Sequence, residues 1–156
     1  MLLEIYGVRG GAGHGEAAAP SRPPRRHGLR NIALVWAVQL RRHHAWFAHD
    51  LANCITAANE NPALPALSVN VYVTKETVAA PGDAAVSGRS AMELHAGRPT
   101  LAPALAAAVA NTGPTAGVYV LACGPAGFVR QAWDAVTALR STHGGAVVFD
   151  RRSFAL

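Results

Sequence analysis

The chain predicts an α/β fold, a parallel sheet with helices on its faces. Three observations carry that expectation. Short apolar runs rich in β-formers occur at 32–38, 67–74 and 118–122. Segments with apolar residues at three- and four-residue spacing lie between or after them, and Gly and Pro punctuate the joins. From residue 31 onward the order reads β-α-β-loop-α-β-α-β, an alternation that builds parallel sheets.

The elements follow in order. Residues 1–30 read as an irregular leader, and 9–30 are rich in Gly, Pro and Arg. Gly10, Gly11, Gly13 and Gly15 follow a strand-like stretch at 2–8 and suggest a phosphate-cradling loop. Such a loop needs a helix N-terminus behind it, and Pro20, Pro23 and Pro24 forbid a helix of useful length. Residues 32–38 are continuously apolar, as in a strand covered on both faces. A helix follows over 43–59, with Trp46, Phe47, Leu51, Cys54, Ile55 and Ala58 as its apolar face, and Pro62 and Pro65 end it. Residues 67–74 alternate β-branched and polar side chains and form a strand. The stretch 77–97, with Pro81, Gly82, Gly88 and Gly97, reads as a long loop. Pro99 stands before an Ala-rich helix at 101–111, closed by Gly113-Pro114. The strand at 118–122, a helix at 126–142 and a last strand at 146–149 complete the chain.

At 156 residues and 51% hydrophobic content, the chain is one domain with enough apolar side chains for a core. A net charge of +5 and a pI near 10.0 suit a phosphate-bearing ligand, another anion or nucleic acid. Arg22, Arg25, Arg26 and Arg30 concentrate much of that charge in the leader, without the interleaved aromatics on which single strands stack. The cluster reads as a solvated loop, and no nucleic-acid partner is expected. The alternative is a non-catalytic basic module that contacts nucleic acid or acidic partners through the leader. Two cysteines in a domain with an ample core indicate a reducing compartment. No apolar run reaches the roughly 18 residues of a membrane span, and no signal-peptide pattern is present. The chain taken alone reads as soluble and cytoplasmic.

Two strand ends and one helix start carry candidate chemistry, the strand ends because ligands of open α/β sheets bind outside the carboxyl ends of the strands. Cys123-Gly124-Pro125 sets a small polarizable side chain beside backbone that a flat ring can approach. Its bland reading is a buried small residue at a turn. Thr74-Lys75 offers a hydroxyl and an ammonium for phosphate or ribose, or is an ordinary polar loop start. Gly97-Arg98-Pro99 offers a planar cation at a helix start, or is a simple N-terminal turn. His43, His44 and His49 lack the i, i+4 spacing of helical metal ligands, so no metal site is expected. Phe154 is a core plug or a terminal aromatic over a ring system.

Together these features resemble the NAD(P)-binding lobe of the ferric reductase and NADPH oxidase family. The resemblance covers residues 31–156. It rests on Leu34-Val35-Trp36-Ala37-Val38, Trp46-Phe47, Val71-Tyr72-Val73-Thr74, Gly97-Arg98-Pro99, Cys123-Gly124-Pro125, and Phe149 with Phe154. It implies a Rossmann-like, ferredoxin reductase-type NADP-binding domain that passes hydride from NADPH to FAD held by a neighbouring domain of the parent enzyme. Electrons then reach membrane haems and ferric iron or oxygen, with the lobe on the cytoplasmic face of the membrane. By resemblance, Thr74 and Lys75 hold the 2′-phosphate and Arg98 lies near the nucleotide. Cys123, Gly124 and Pro125 border the nicotinamide, and Phe154 stacks on the flavin; Cys123 and Phe154 are thus the residues nearest catalysis. The family's first strand and its Gly-rich pyrophosphate turn are absent before Ile32. The sheet is therefore expected to lack its first strand, as in a truncated chain, and the isolated protein to be inactive.

Overall fold

The computed structural model describes residues 2–8, 28–76, 88, 90–110 and 112–153; of the side chains at 2–8 it describes only that of Glu4. The elements are β1 (Leu2–Val8), β2 (Leu29–Val38), α1 (Arg41–Glu60), β3 (Ala66–Val73), β4 (Ala91–Ala96), α2 (Leu101–Ala110), β5 (Gly117–Gly124), α3 (Ala126–Thr142) and β6 (Val147–Ser153). They build one six-stranded sheet in the order β4-β3-β2-β1-β5-β6. β2, β3 and β4 form one parallel block and β5 and β6 a second. The fold is α/β with flanking helices, compatible with a Rossmann-like arrangement.

β1 corrects two expectations. The position between the two parallel blocks is filled, and the residues that fill it come from the supposed leader. Leu2–Val8 runs antiparallel to both neighbours, pairing Leu3 with Val35 and Ala122, and Ile5 with Ala33 and Val120. The reason is physical. Each parallel block presents an edge of unpaired N–H and C=O groups, and a seven-residue segment of mostly apolar residues satisfies both at once. The sheet is consequently mixed, not wholly parallel. β1 belongs to the same sheet as the elements after residue 31, and β2 itself starts at Leu29. The Gly-rich stretch and Arg22, Arg25 and Arg26 lie outside the described residues.

Two buried clusters lie on opposite faces. On one, Ala33 and Val35 of β2 and Val118, Val120 and Ala122 of β5 pack under Leu101, Leu105 and Val109 of α2. Phe128, Ala132 and Val136 of α3 complete that side. On the other, Val38, Val69, Val71, Val73 and Met92 pack under Ile55 of α1. Each fully buried Val, Leu or Ile contributes about 1.5–3 kcal/mol. The expected apolar face of α1 is only partly right. Ile55 and Ala58 are buried, but Trp46 is 72% exposed, Phe47 52% exposed and Cys54 exposed. α1 lies along β2, β3 and β4. Ile55 and Ala58 face the sheet, and Phe47 meets it only edge-on at Trp36, ring centroids 5.7 Å apart, which leaves Trp46 and much of Phe47 to solvent.

The long loop expected over 77–97 contains β4. Met92 and Leu94 alternate with Glu93 and His95 there, a short pattern bounded by Gly and polar residues. A polar knot ties its start to two other elements. The Asn59 Oδ1 accepts from Ser90 N at 2.7 Å, and Asn59 Nδ2 donates to Ser90 O at 3.1 Å. The wholly buried Ser90 hydroxyl accepts from Leu67 N at 2.9 Å. β6 also runs past the expected end at 149, to Ser153, because pairing with β5 carries the strand beyond its apolar run.

Candidate functional site at the carboxyl edge

All five parallel strands end on one edge of the sheet, and β1 enters the sheet there at Leu2. Hydrogen bonds stitch the ends of β2, β3 and β4 together. Thr74 N and Thr74 Oγ1 both donate to Val38 O, at 2.9 and 3.1 Å, and Lys75 N donates to Gln39 O at 3.0 Å. Gly97 N donates to Val73 O at 2.8 Å, and Gly97 sits at φ +86°, where a side chain is disfavoured. Pro99 is buried and anchors the turn, while Lys75 and Arg98 are exposed on adjacent strand ends. Two cations thus face solvent from a rigid edge. The Thr74 proton is committed to Val38, so its oxygen can only accept.

The N-terminus of α1 opens on the same edge. Its N-cap, Leu40, gives no side-chain hydrogen bond, and Arg41 N donates instead to Glu76 Oε2 at 2.7 Å. A carboxylate from the turn after β3 therefore occupies one of the helix's N-terminal donors, a place favourable to anions. Sequence reasoning gave Glu76 no role. Its partner lies 35 residues away, and no local pattern links them.

At the end of β5, Ala122 is wholly buried toward α2 and α3, whereas Cys123 is half-buried on the opposite face. Cys123 stands in register with Leu2 of β1 and Arg152 of β6. Gly124 is buried, and Pro125 caps α3 without a side-chain hydrogen bond, leaving first-turn N–H groups at Ala126 and Gly127 without a side-chain cap. β3 and β5 are three strand steps apart, roughly 14 Å at ordinary spacing. Lys75 and Arg98 are therefore neighbours, and Cys123 is set apart from them across β2 and β1. Arg152, a further exposed cation beside Cys123, was missed because the strand was expected to stop at 149. Phe154 lies outside the described residues.

His44 belongs to the first turn of α1, with its ring 6.3 Å from that of Trp36 of β2. Its Nε2 is buried and without a hydrogen-bond partner among the described residues. Burial, and secondarily the Arg41 charge, push its pKa below the usual 6.5. Among the described residues no group of three His, Cys, Asp or Glu side chains could hold a metal ion. No helix among them is long and apolar enough to cross a membrane.

Fold and edge together define an α/β chain with a basic carboxyl edge. No family model matches it, and no curated protein or solved structure does.

Proposed function

We propose that this chain is the NAD(P)H-binding lobe of a ferric-chelate reductase-like oxidoreductase, with a ferredoxin reductase-type NADP-binding fold. It binds NADPH along the carboxyl edge and serves hydride transfer to FAD in a neighbouring domain of the parent enzyme. Electrons then pass on to ferric iron or oxygen. The observation that supports this reading most is the placement of Lys75 and Arg98 on adjacent strand ends, with Cys123-Gly124-Pro125 ending β5 on the same edge.

The residues fit the two ends of the dinucleotide unequally. Lys75 and Arg98 suit a 2′-phosphate as point charge and planar fork, and the Thr74 oxygen accepts from a ribose hydroxyl. Cys123 and the close backbone at Gly124 suit the face of a nicotinamide. The pyrophosphate fits less well. In doubly wound folds it rests on the helix that follows the central strand, and here that strand is reversed, so its carboxyl end lies on the opposite edge of the sheet. The first turn of α3, without a side-chain cap, is the helix N-terminus near Cys123 among the described residues. NADPH supplies the hydride when bound; the chain holds phosphate and ring in place. Binding of the isolated lobe is accordingly weak, and turnover needs the flavin domain.

NADPH titration followed by fluorescence of Trp36, Trp46 and Trp133 tests the reading. Saturable quenching, weakened in Lys75→Ala and Arg98→Ala and weaker for NADH than for NADPH, is the expected result. No response at about 10 mM cofactor, well beyond the millimolar scale of a weak site, overturns it.

A further inference from the structure

A separate concavity of about 410 Å³ lies on the α2/α3 face, between α2 and strands β2 and β3. It extends from Tyr72 toward Asn31 and Ala66 at the amino ends of the strands, away from the edge that carries Lys75 and Arg98. Its origin is the composition of α2. That helix turns Ala104, Ala107 and Ala108 toward the floor, and methyl groups are too short to fill the space above β3.

The floor is polar and held in place. Ser68, Asn70 and Tyr72 alternate along one face of β3. The Asn70 Oδ1 lies 2.9 Å from His95 Nε2, so the imidazole donates and the amide accepts. Tyr72 stacks on the same His95, with centroids 4.6 Å apart and planes at 23°. Burial, and secondarily the Glu93 charge, push the Tyr72 pKa above its usual value, keeping the phenol neutral. The NH₂ of Asn70 and the hydroxyl of Ser68 make no hydrogen bond among the described residues. Among the described residues the lining contains no Lys or Arg, and Glu93 stands 3.6 Å from His95, so the site disfavours phosphates and other anions.

We infer that this cavity binds a neutral, planar heteroaromatic molecule of nucleobase type. The ring slides against the methyl groups of Ala104 and Ala107, and its polar edge meets Ser68 and Asn70. A volume of about 410 Å³ lies within the range of small-molecule sites and admits one fused ring system with its water. The inference is independent of NADPH binding at the carboxyl edge.

Free adenine and thymine, titrated into ¹⁵N-labelled protein, test it. The expected result is saturable shifts of the Ser68, Asn70, Tyr72 and Ala107 amides. Ala107 is exposed on its helix, so Ala107→Leu keeps the fold while filling the slot, and weakens binding about tenfold or more. Lys75→Ala leaves the affinity unchanged. Ser68→Ala, which removes one polar contact, weakens binding by a smaller factor and guards against a misfolded Ala107→Leu. Absence of shifts at about 10 mM base, shifts confined to Thr74, Lys75 and Arg98, or undiminished binding in both variants would each overturn the inference.

Discussion

Asn59→Ala tests how β4, and with it the Gly97-Arg98 turn, is held. The Asn59 amide exchanges two hydrogen bonds with the backbone of Ser90, at 2.7 and 3.1 Å, and Ser90 is 0% exposed. Truncation orphans a buried N–H and a buried C=O, and each loss costs about 1–1.5 kcal/mol. The total is about 2–3 kcal/mol, a fall of about 4–12 °C in Tm for a chain of this size. Ser90→Ala removes the acceptor of Leu67 N and costs about 1–2 kcal/mol. The double variant should lose about 1 kcal/mol less than the sum, because a loosened Ser90 already surrenders its bond to Leu67. Thermal and urea melts by circular dichroism give the magnitudes, and native-state hydrogen exchange gives the location. Exchange at the β4 amides should accelerate more than at β5. A loss under about 0.5 kcal/mol, or a loss with no preferential exchange at β4, refutes the reasoning.

Other outcomes follow from single sites. Gly145→Ala should cost more than about 2 kcal/mol, since its Cβ would run into the backbone carbonyl of Ala116 and only a backbone shift relieves that; a Tm close to wild type contradicts this. His44 stays neutral in the fold to a lower pH than in the unfolded chain. Its contribution is present above about pH 6.5 and is lost as the pH falls from there through the folded pKa. Urea midpoints should therefore decline more steeply on acidification in wild type than in His44→Gln, and parallel declines would refute the assignment. Cys123 lies half-buried and Cys54 exposed. In a Cys54→Ser background, NADPH should slow alkylation of Cys123 severalfold, and unprotected alkylation at saturating cofactor would place the nicotinamide elsewhere.

Much of this fold was legible because its signals are local. The alternation at Leu67, Val69, Val71 and Val73 gives β3, and the spacing of Phe128, Val129, Ala132 and Val136 gives α3. Pro62, Pro65 and Pro125 mark their limits. What escaped is non-local. β4 depends on a knot between Asn59 and Ser90, 31 residues apart. The placement of Leu2–Val8 depends on two open strand edges that exist only once the sheet is built. The exposure of Trp46 and Phe47 depends on how α1 is rotated over the sheet, with Phe47 touching Trp36 only edge-on. The positions of Thr74, Lys75 and Cys123 were legible because a strand followed by a turn fixes which residue reaches the carboxyl edge. Arg98 was expected only at a helix start, and it is β4 that brings it to that edge. Glu76 at the start of α1 and Arg152 beside Cys123 were not, since each is brought there by a tertiary contact.

The most direct test of the account is an amide chemical-shift map of the ¹⁵N-labelled chain with NADPH and with NADH. NADPH should move Thr74, Lys75, Gly97 and Arg98 together with Cys123, Gly124, Ala126 and Gly127. NADH should move the second group and leave the first weakly affected, because it lacks the 2′-phosphate. No shifts at millimolar NADPH, or shifts confined to the amino edge of the sheet, would contradict the claim that the carboxyl edge is a nucleotide site.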